Sequence, residues 1–151
     1  MPYEFRTKRR IEFDETDMAG IAHFSNFFRY MEQAEHDFYR SLGLSVHQPV
    51  AGGYIGWPRV EAACEFRNPV RFDDELEIHL LVREKKPRSI GYCFIFRKFT
   101  DGQVEEVARG SMTVVCASKT DNDSGLSAMV MPVEFDTRIE EAPKNLLGLN
   151  P

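Results

Sequence analysis

The sequence predicts an α+β protein in which one long helix packs on an antiparallel sheet of five strands. Three observations carry that expectation. Over residues 25–42 the apolar side chains Phe27, Met31, Ala34, Phe38 and Leu42 recur at spacings of four, three, four and four, the period of one helical face. Past Asn68-Pro69 the period falls to two, with Leu76, Ile78, Leu80 and Val82 set against Glu75, Glu77, His79 and Arg83. Short polar links such as Asp101-Gly102 then join successive runs, the punctuation of antiparallel neighbours.

Taken in chain order, residues 4–13 have strand character (Phe5, Thr7, Ile11, Phe13), and the polar segment 14–20 reads as a loop. Ser25 or Asn26 is expected to cap the long helix, and Gly43 suits the left-handed residue just past its end. Residues 43–58, rich in Gly and Pro, read as a long loop leading to a strand at 59–67. The link Lys85-Lys86-Pro87-Arg88 leads to a strand at 89–99. That strand carries Ile90, Tyr92, Phe94 and Phe96 on one face and Gly91, Cys93 and Ile95 on the other, so it is apolar on both sides and central. A long strand at 104–117 and a polar loop at 118–128 follow, and Pro132 opens a short C-terminal helix. One helix covers one face of a sheet. A partner subunit is therefore expected over the second apolar face, ahead of the short C-terminal segment.

At 151 residues the chain is expected to form a single domain over 1–151 and to bury about two-thirds of its unfolded surface. A net charge of 19 − 24 = −5 argues against wrapping by a nucleic acid duplex. No apolar run approaches the roughly 18 residues of a membrane span, and the early Arg6, Lys8, Arg9 and Arg10 precede no signal-like apolar stretch. A soluble, cytoplasmic protein is expected. Cys64, Cys93 and Cys116 are odd in number and widely spaced, which fits reduced core thiols. The sequon Asn122-Asp123-Ser124 has no role without secretion.

The chemistry concentrates in residues 14–26: Asp14, Glu15 and Asp17, then Gly20, His23 and Asn26, directly before the long helix. A helix start presents unpaired N–H groups and a partial positive charge that polarise a carbonyl oxygen. A carboxylate in the preceding loop then supplies a base or nucleophile for acyl transfer. Acidic residues also occur before helices simply because they complement the dipole.

The run from Glu12 to Ile21 (EFDETDMAGI), followed by Asn26-Phe27, resembles the signature of hotdog-fold acyl-CoA thioesterases of the 4-hydroxybenzoyl-CoA thioesterase type. The resemblance continues through Arg29–Glu32, Ser41–Gly43, Ala63–Leu76, Arg88-Ser89, Gly110 and Met131-Pro132. It implies a hotdog domain, a long central helix wrapped by a five-stranded antiparallel sheet, with active sites at subunit interfaces of a homodimer or homotetramer. It implies Asp17 as the active-site carboxylate, the Phe24 backbone N–H as the group polarising the thioester oxygen, and Gly20 as the residue shaping the turn between them. Asn26 matches a residue near the helix start, for which capping is an equal reading, and Phe27 and Trp57 join it as candidate substrate contacts. His23 stands one residue early relative to the family's Tyr-His pattern, a rotation of about 100° on a helix, and Phe24 becomes a wall of the acyl pocket. Lys85, Lys86 and Arg88 match a link that contacts the nucleotide; the coenzyme A phosphates suit such cations, and a solvated turn is the plain alternative.

The implied substrate is a small aromatic or short- to medium-chain acyl thioester of coenzyme A or of an acyl carrier protein, with coenzyme A as part of the substrate and no other cofactor. Hydration or dehydration of an acyl thioester is the alternative within the fold, with His23 as its candidate histidine. A binding module without turnover is the alternative outside enzymology. His36 and His79 are read as surface residues, His47 as a loop residue, and no histidine pair has zinc-ligand spacing, so no metal is expected.

Overall fold

The computed structural model describes residues 2–120, 122 and 125–148. The chain enters through strand β1 (Glu4–Arg10), makes a 3-10 turn (Phe13–Glu15) and then the helix α1 (Ser25–Ser41). Strands β2 (Gln48–Val50) and β3 (Gly53–Gly56) come next, followed by β4 (Arg59–Phe66), β5 (Glu75–Lys86), β6 (Ser89–Thr100) and β7 (Gln103–Val115). The chain closes with β8 (Ala117–Thr120), β9 (Ser127–Ala128), the short helix α2 (Val133–Arg138) and a 3-10 turn (Lys144–Leu147).

The main sheet has the order β1-β5-β6-β7-β4 with antiparallel neighbours throughout, and α1 lies across it: the hotdog fold. The doubly apolar strand is central as expected. Its Ile90, Tyr92, Phe94 and Phe96 are fully buried beneath the helix face of Phe27, Tyr30, Met31, Ala34 and Phe38. Each such side chain contributes about 1.5–3 kcal/mol by leaving water. Helix and sheet meet closely at Gly110, where a Cβ would stand 2.5 Å from Met31 Cε. The helix ends as its sequence predicts, with Gly43 at φ 73° and the Leu44 N–H returning to the Tyr39 carbonyl.

Four expectations are corrected. Residues 43–58 are not all loop, because β2 and β3 pair there and β3 pairs β8, building a second sheet of order β2-β3-β8-β9. The strand expected at 104–117 breaks at Cys116, whose N–H turns to the Arg88 carbonyl, so β8 leaves the main sheet for the small one. β8 and β9 therefore occupy part of the expected 118–128 loop; Asp123 and Ser124 of the sequon lie outside the described residues. Only Cys116 is fully buried, and it lies between strands, whereas Cys64 and Cys93 are half-buried.

The outer face of the sheet is covered in part by the chain itself. The Ala142 N–H bonds the Val82 carbonyl, and Leu81, Ile95 and Ala142 pack together with Tyr3, Cys93 and Leu147. His79 lies on this face and is 3% exposed, not a surface residue. Its Nδ1 accepts from Arg97 at 3.2 Å, which leaves the proton on Nε2 to donate to Glu4 Oε2 at 2.7 Å. Period-two alternation identified its face but not its burial among Glu4 of β1 and Arg97 of β6, which flank it on the neighbouring strands. His36, on α1, is half-buried with its Nε2 3.7 Å from Glu35 Oε1, and burial holds its imidazole below the usual histidine range.

Candidate active site

The segment before α1 is a small antiparallel hairpin. The His23 N–H bonds the Glu15 carbonyl at 2.8 Å, the Asp17 N–H bonds the Ile21 carbonyl at 2.9 Å, and the turn closes with Gly20 N–H on the Asp17 carbonyl at 2.9 Å. Gly20 takes φ 77°, a backbone that favours glycine, and its side-chain direction is otherwise open. The 3-10 turn ahead of the hairpin carries a capping box in which Glu15 Oε1 accepts from the Glu12 N–H at 2.8 Å. Glu15 Oε2 accepts from Arg9 Nη2 at 2.7 Å.

Asp17, at the hairpin turn, lines a cavity of about 470 Å³ with Ile21, Ala22, Phe24 and Phe27 on one side and Phe66–Val70 on the other. The Ala22 N–H on the Val70 carbonyl, at 2.8 Å, ties the two walls together. Phe27 and Phe66 meet edge to face at 5.3 Å, and Phe24 meets Phe66 at 6.4 Å. Asp17 Oδ1 accepts from the Ala19 N–H at 2.9 Å, so Oδ2 is the oxygen left without a donor among the described residues.

Helix α1 begins at this cavity, with Phe24 as the residue preceding its first turn and no side chain capping it. The expected caps act otherwise: the Ser25 hydroxyl pairs with His23 Nδ1 at 2.7 Å, and Asn26 Nδ2 donates to the Glu15 carbonyl at 2.7 Å. The Ser25 N–H bonds His23 Nδ1, Asn26 N–H bonds the His23 carbonyl, and Phe27 N–H bonds the Phe24 carbonyl. Among the described residues none accepts from the Phe24 N–H. A carboxylate oxygen and an unpaired helix-start N–H thus belong to residues on one apolar cavity. That pairing can attack an acyl carbon while holding its oxygen.

Of the predicted site residues, Asp17, Phe24 and Phe27 are brought together, with Gly20 shaping the turn. Asn26 is 9% exposed and faces the Glu15 carbonyl. His23 is exposed, stacks on Phe24 at 4.7 Å and does not line the cavity. Trp57 is core: it packs on Tyr39 and Phe135, about 18 Å along the helix from Phe27. The basic link stands at the far end of β5, about 35 Å from the Glu75 end that adjoins the cavity. There Lys85 Nζ donates to the Asp136 and Ile139 carbonyls, and Lys86 Nζ ion-pairs with the half-buried Glu84 at 3.5 Å. Among the described residues Arg88 has no ion-pair partner, and no three His, Cys, Asp or Glu side chains converge as a metal ion requires.

Sequence reading missed the wall formed by Phe66, Arg67, Asn68 and Val70, which lies more than 40 residues from Asp17. Its one available signal was alternation, since Ala62, Cys64 and Phe66 share the helix-facing side of β4 through their pairing with Met112, Gly110 and Ala108.

Residues 11–147 match the model of the thioesterase-like superfamily. A putative esterase of Aquifex aeolicus is 37% identical over 98 residues, covering 65% of this chain and 74% of the relative. The 4-hydroxybenzoyl-CoA thioesterase of Pseudomonas sp. is 28% identical over 131 residues, covering 85% and 92%. A mutant 4-hydroxybenzoyl-CoA thioesterase complexed with 4-hydroxybenzoyl-CoA superposes with a TM-score of 0.79 at 23% identity, over 91% of this chain and 99% of that one, a likeness of fold. The fold, the cavity at the start of α1 and the family match converge: the chain belongs to the thioesterase-like superfamily.

Proposed function

We propose that the protein is an acyl-CoA thioesterase that hydrolyses a small aromatic or short- to medium-chain acyl thioester to the free acid and coenzyme A. The observation that carries the reading is that Asp17 lines the same apolar cavity as Phe24, the residue at the start of α1 whose N–H has no acceptor among the described residues. The thioester oxygen takes the Phe24 N–H and the positive end of α1, which stabilises the charge that develops on it. Asp17 Oδ2 either attacks the acyl carbon, giving an anhydride that water opens, or takes a proton from the attacking water; the thiolate leaves in both cases. Phe24, Phe27 and Phe66 offer ring edges to an aryl group, and the Pseudomonas relative's name gives an aryl-CoA as its substrate.

Lys86 and Arg88 serve the nucleotide phosphates from a neighbouring copy, because the link of the same chain is a strand's length from Asp17. The exposed edge strand β4, with Val60 63% and Phe66 49% exposed, supports a homodimer or homotetramer that completes the site. A hydratase reading requires a histidine at the reacting carbons, and the exposed His23 does not line the cavity.

The test is thiol release from a panel of aryl- and alkyl-CoAs, with acyl carrier protein thioesters beside them. Asp17→Asn is expected to lower turnover by about 10³-fold or more with the fold intact. Equal rates in the variant would remove Asp17 from the mechanism.

A further inference from the structure

The hairpin that carries Asp17 and the helix that carries the Phe24 N–H are separate elements, and their relative placement needs a fastener. One buried polar side chain joins them. Asn26, in the first turn of α1 and 9% exposed, donates through Nδ2 to the Glu15 carbonyl at 2.7 Å. The same carbonyl accepts from the His23 N–H at 2.8 Å, so both lone-pair positions of Glu15 O are used, one by the hairpin and one by the helix. Glu15 lies two residues before Asp17, and His23 one residue before Phe24. The Glu15 carboxylate is itself fixed by Arg9 and by the Glu12 N–H, so the carbonyl is a fixed point and not a loop group free to follow the helix.

We propose that Asn26 is a positioning residue that sets the separation between the Asp17 carboxylate and the Phe24 N–H. The inference rests on the thioesterase reading of the site, and it replaces two expectations for Asn26, capping and substrate contact. The amide points away from the orphan N–H groups of the helix start and onto the opposing hairpin. Asn26 is also absent from the cavity wall. Its removal leaves the hairpin its own backbone bonds, its tie to Val70 and the Arg9 bridge between Glu15 and Gln33, but takes away the bond that fixes the Glu15 carbonyl to the first turn of α1, and so lets the hairpin shift against the helix start. Displacements of about 1 Å are enough to cost about 10- to 100-fold in rate.

Two variants and two readouts test this. Asn26→Ala is expected to lower kcat at least tenfold with KM within twofold, and to speed hydrogen exchange at the His23 and Asp17 amides at least tenfold while β6 amides keep their rates. Asn26→Asp places a carboxylate against the Glu15 carbonyl when ionised and regains a donor when protonated. Its kcat relative to wild type is expected to climb as pH falls, a recovery that a packing role does not produce. Unchanged amide exchange in Asn26→Ala overturns the proposal. A raised KM with kcat intact does so too, because it makes Asn26 a substrate contact. Exchange is read without substrate, so a wild type inactive on every thioester refutes the thioesterase reading while the exchange result still decides the fastener.

Discussion

Glu35 offers a stability test that is independent of the reaction. Its side chain is fully buried in the middle of α1, and its carboxylate takes Arg59 Nη2 at 2.6 Å and Nη1 at 3.3 Å. Burial pushes its pKa up from 4.5 to about 7, with Arg59 opposing and Glu32 adding to the rise. Between those values the native protein holds the proton and the unfolded chain has released it, so raising the pH favours unfolding. The native state thus carries no penalty from this group below about pH 4.5 and its full penalty above about pH 7. At about 1.4 kcal/mol per pH unit the whole window is worth about 3 kcal/mol, of which about 2.5 kcal/mol falls between pH 5 and pH 8. Glu35→Gln keeps an acceptor for Arg59 and removes the titration, while Arg59 retains Glu32 at 3.6 Å. Urea unfolding of both proteins at pH 5, 6, 7 and 8 reads the difference. The variant is expected to gain on wild type steadily toward pH 8, by about 2.5 kcal/mol in all. Parallel stability curves across that range would refute the reasoning, since they would mean that Glu35 ionises alike in the folded and unfolded chain.

Two further outcomes follow from the packing. Gly110→Ala drives a methyl group to 2.5 Å from Met31 Cε, and it is expected to cost about 1–3 kcal/mol in thermal unfolding, with the double variant Gly110→Ala/Met31→Ala costing less than the sum of the two single changes. Tyr39 and Tyr92 share a buried hydroxyl pair at 2.7 Å. Tyr39→Phe or Tyr92→Phe alone is expected to cost about 1–2 kcal/mol, and the double variant less than the sum, because only the single changes strand a hydroxyl; additive costs in a double-mutant cycle would contradict this.

The main sheet and helix were legible because their signals are local. The apolar stripe from Phe27 to Phe38 and the alternation from Leu76 to Val82 each lie within one element, and the Asp101-Gly102 turn declares its own geometry, with φ of 48° and 79°. The second sheet was not legible. Strands of two to four residues such as Gly53–Gly56 and Ser127–Ala128 have no room for a period, and β3 joins β8 across more than 60 residues of sequence. Likewise the burial of His79 is decided on the far face of the sheet, where Glu4 and Arg97 meet it from neighbouring strands. Composition places a histidine on a polar face, and only tertiary pairing shows that the face is closed.

The same distinction separates the two halves of the site. Asp17, Gly20 and Phe24 fall within eight residues, so a short motif holds the carboxylate, the turn and the helix start, and the hairpin between Glu15 and His23 brings Asp17 and Phe24 to one cavity. The basic link resembles a site in sequence because four cations lie within six residues, yet charge density says nothing about commitment. Lys85 spends its donors on the end of α2, where the Asp136 and Ile139 carbonyls need cations, and Arg83 donates to Thr113 across the sheet. Two of the four are thus engaged within the fold, and the remaining two stand a strand's length from Asp17. Proximity in sequence brings Asp17 and Phe24 to one cavity because a hairpin is a local structure. It could not relate the link to the acid, because β5 carries them to opposite ends of the sheet.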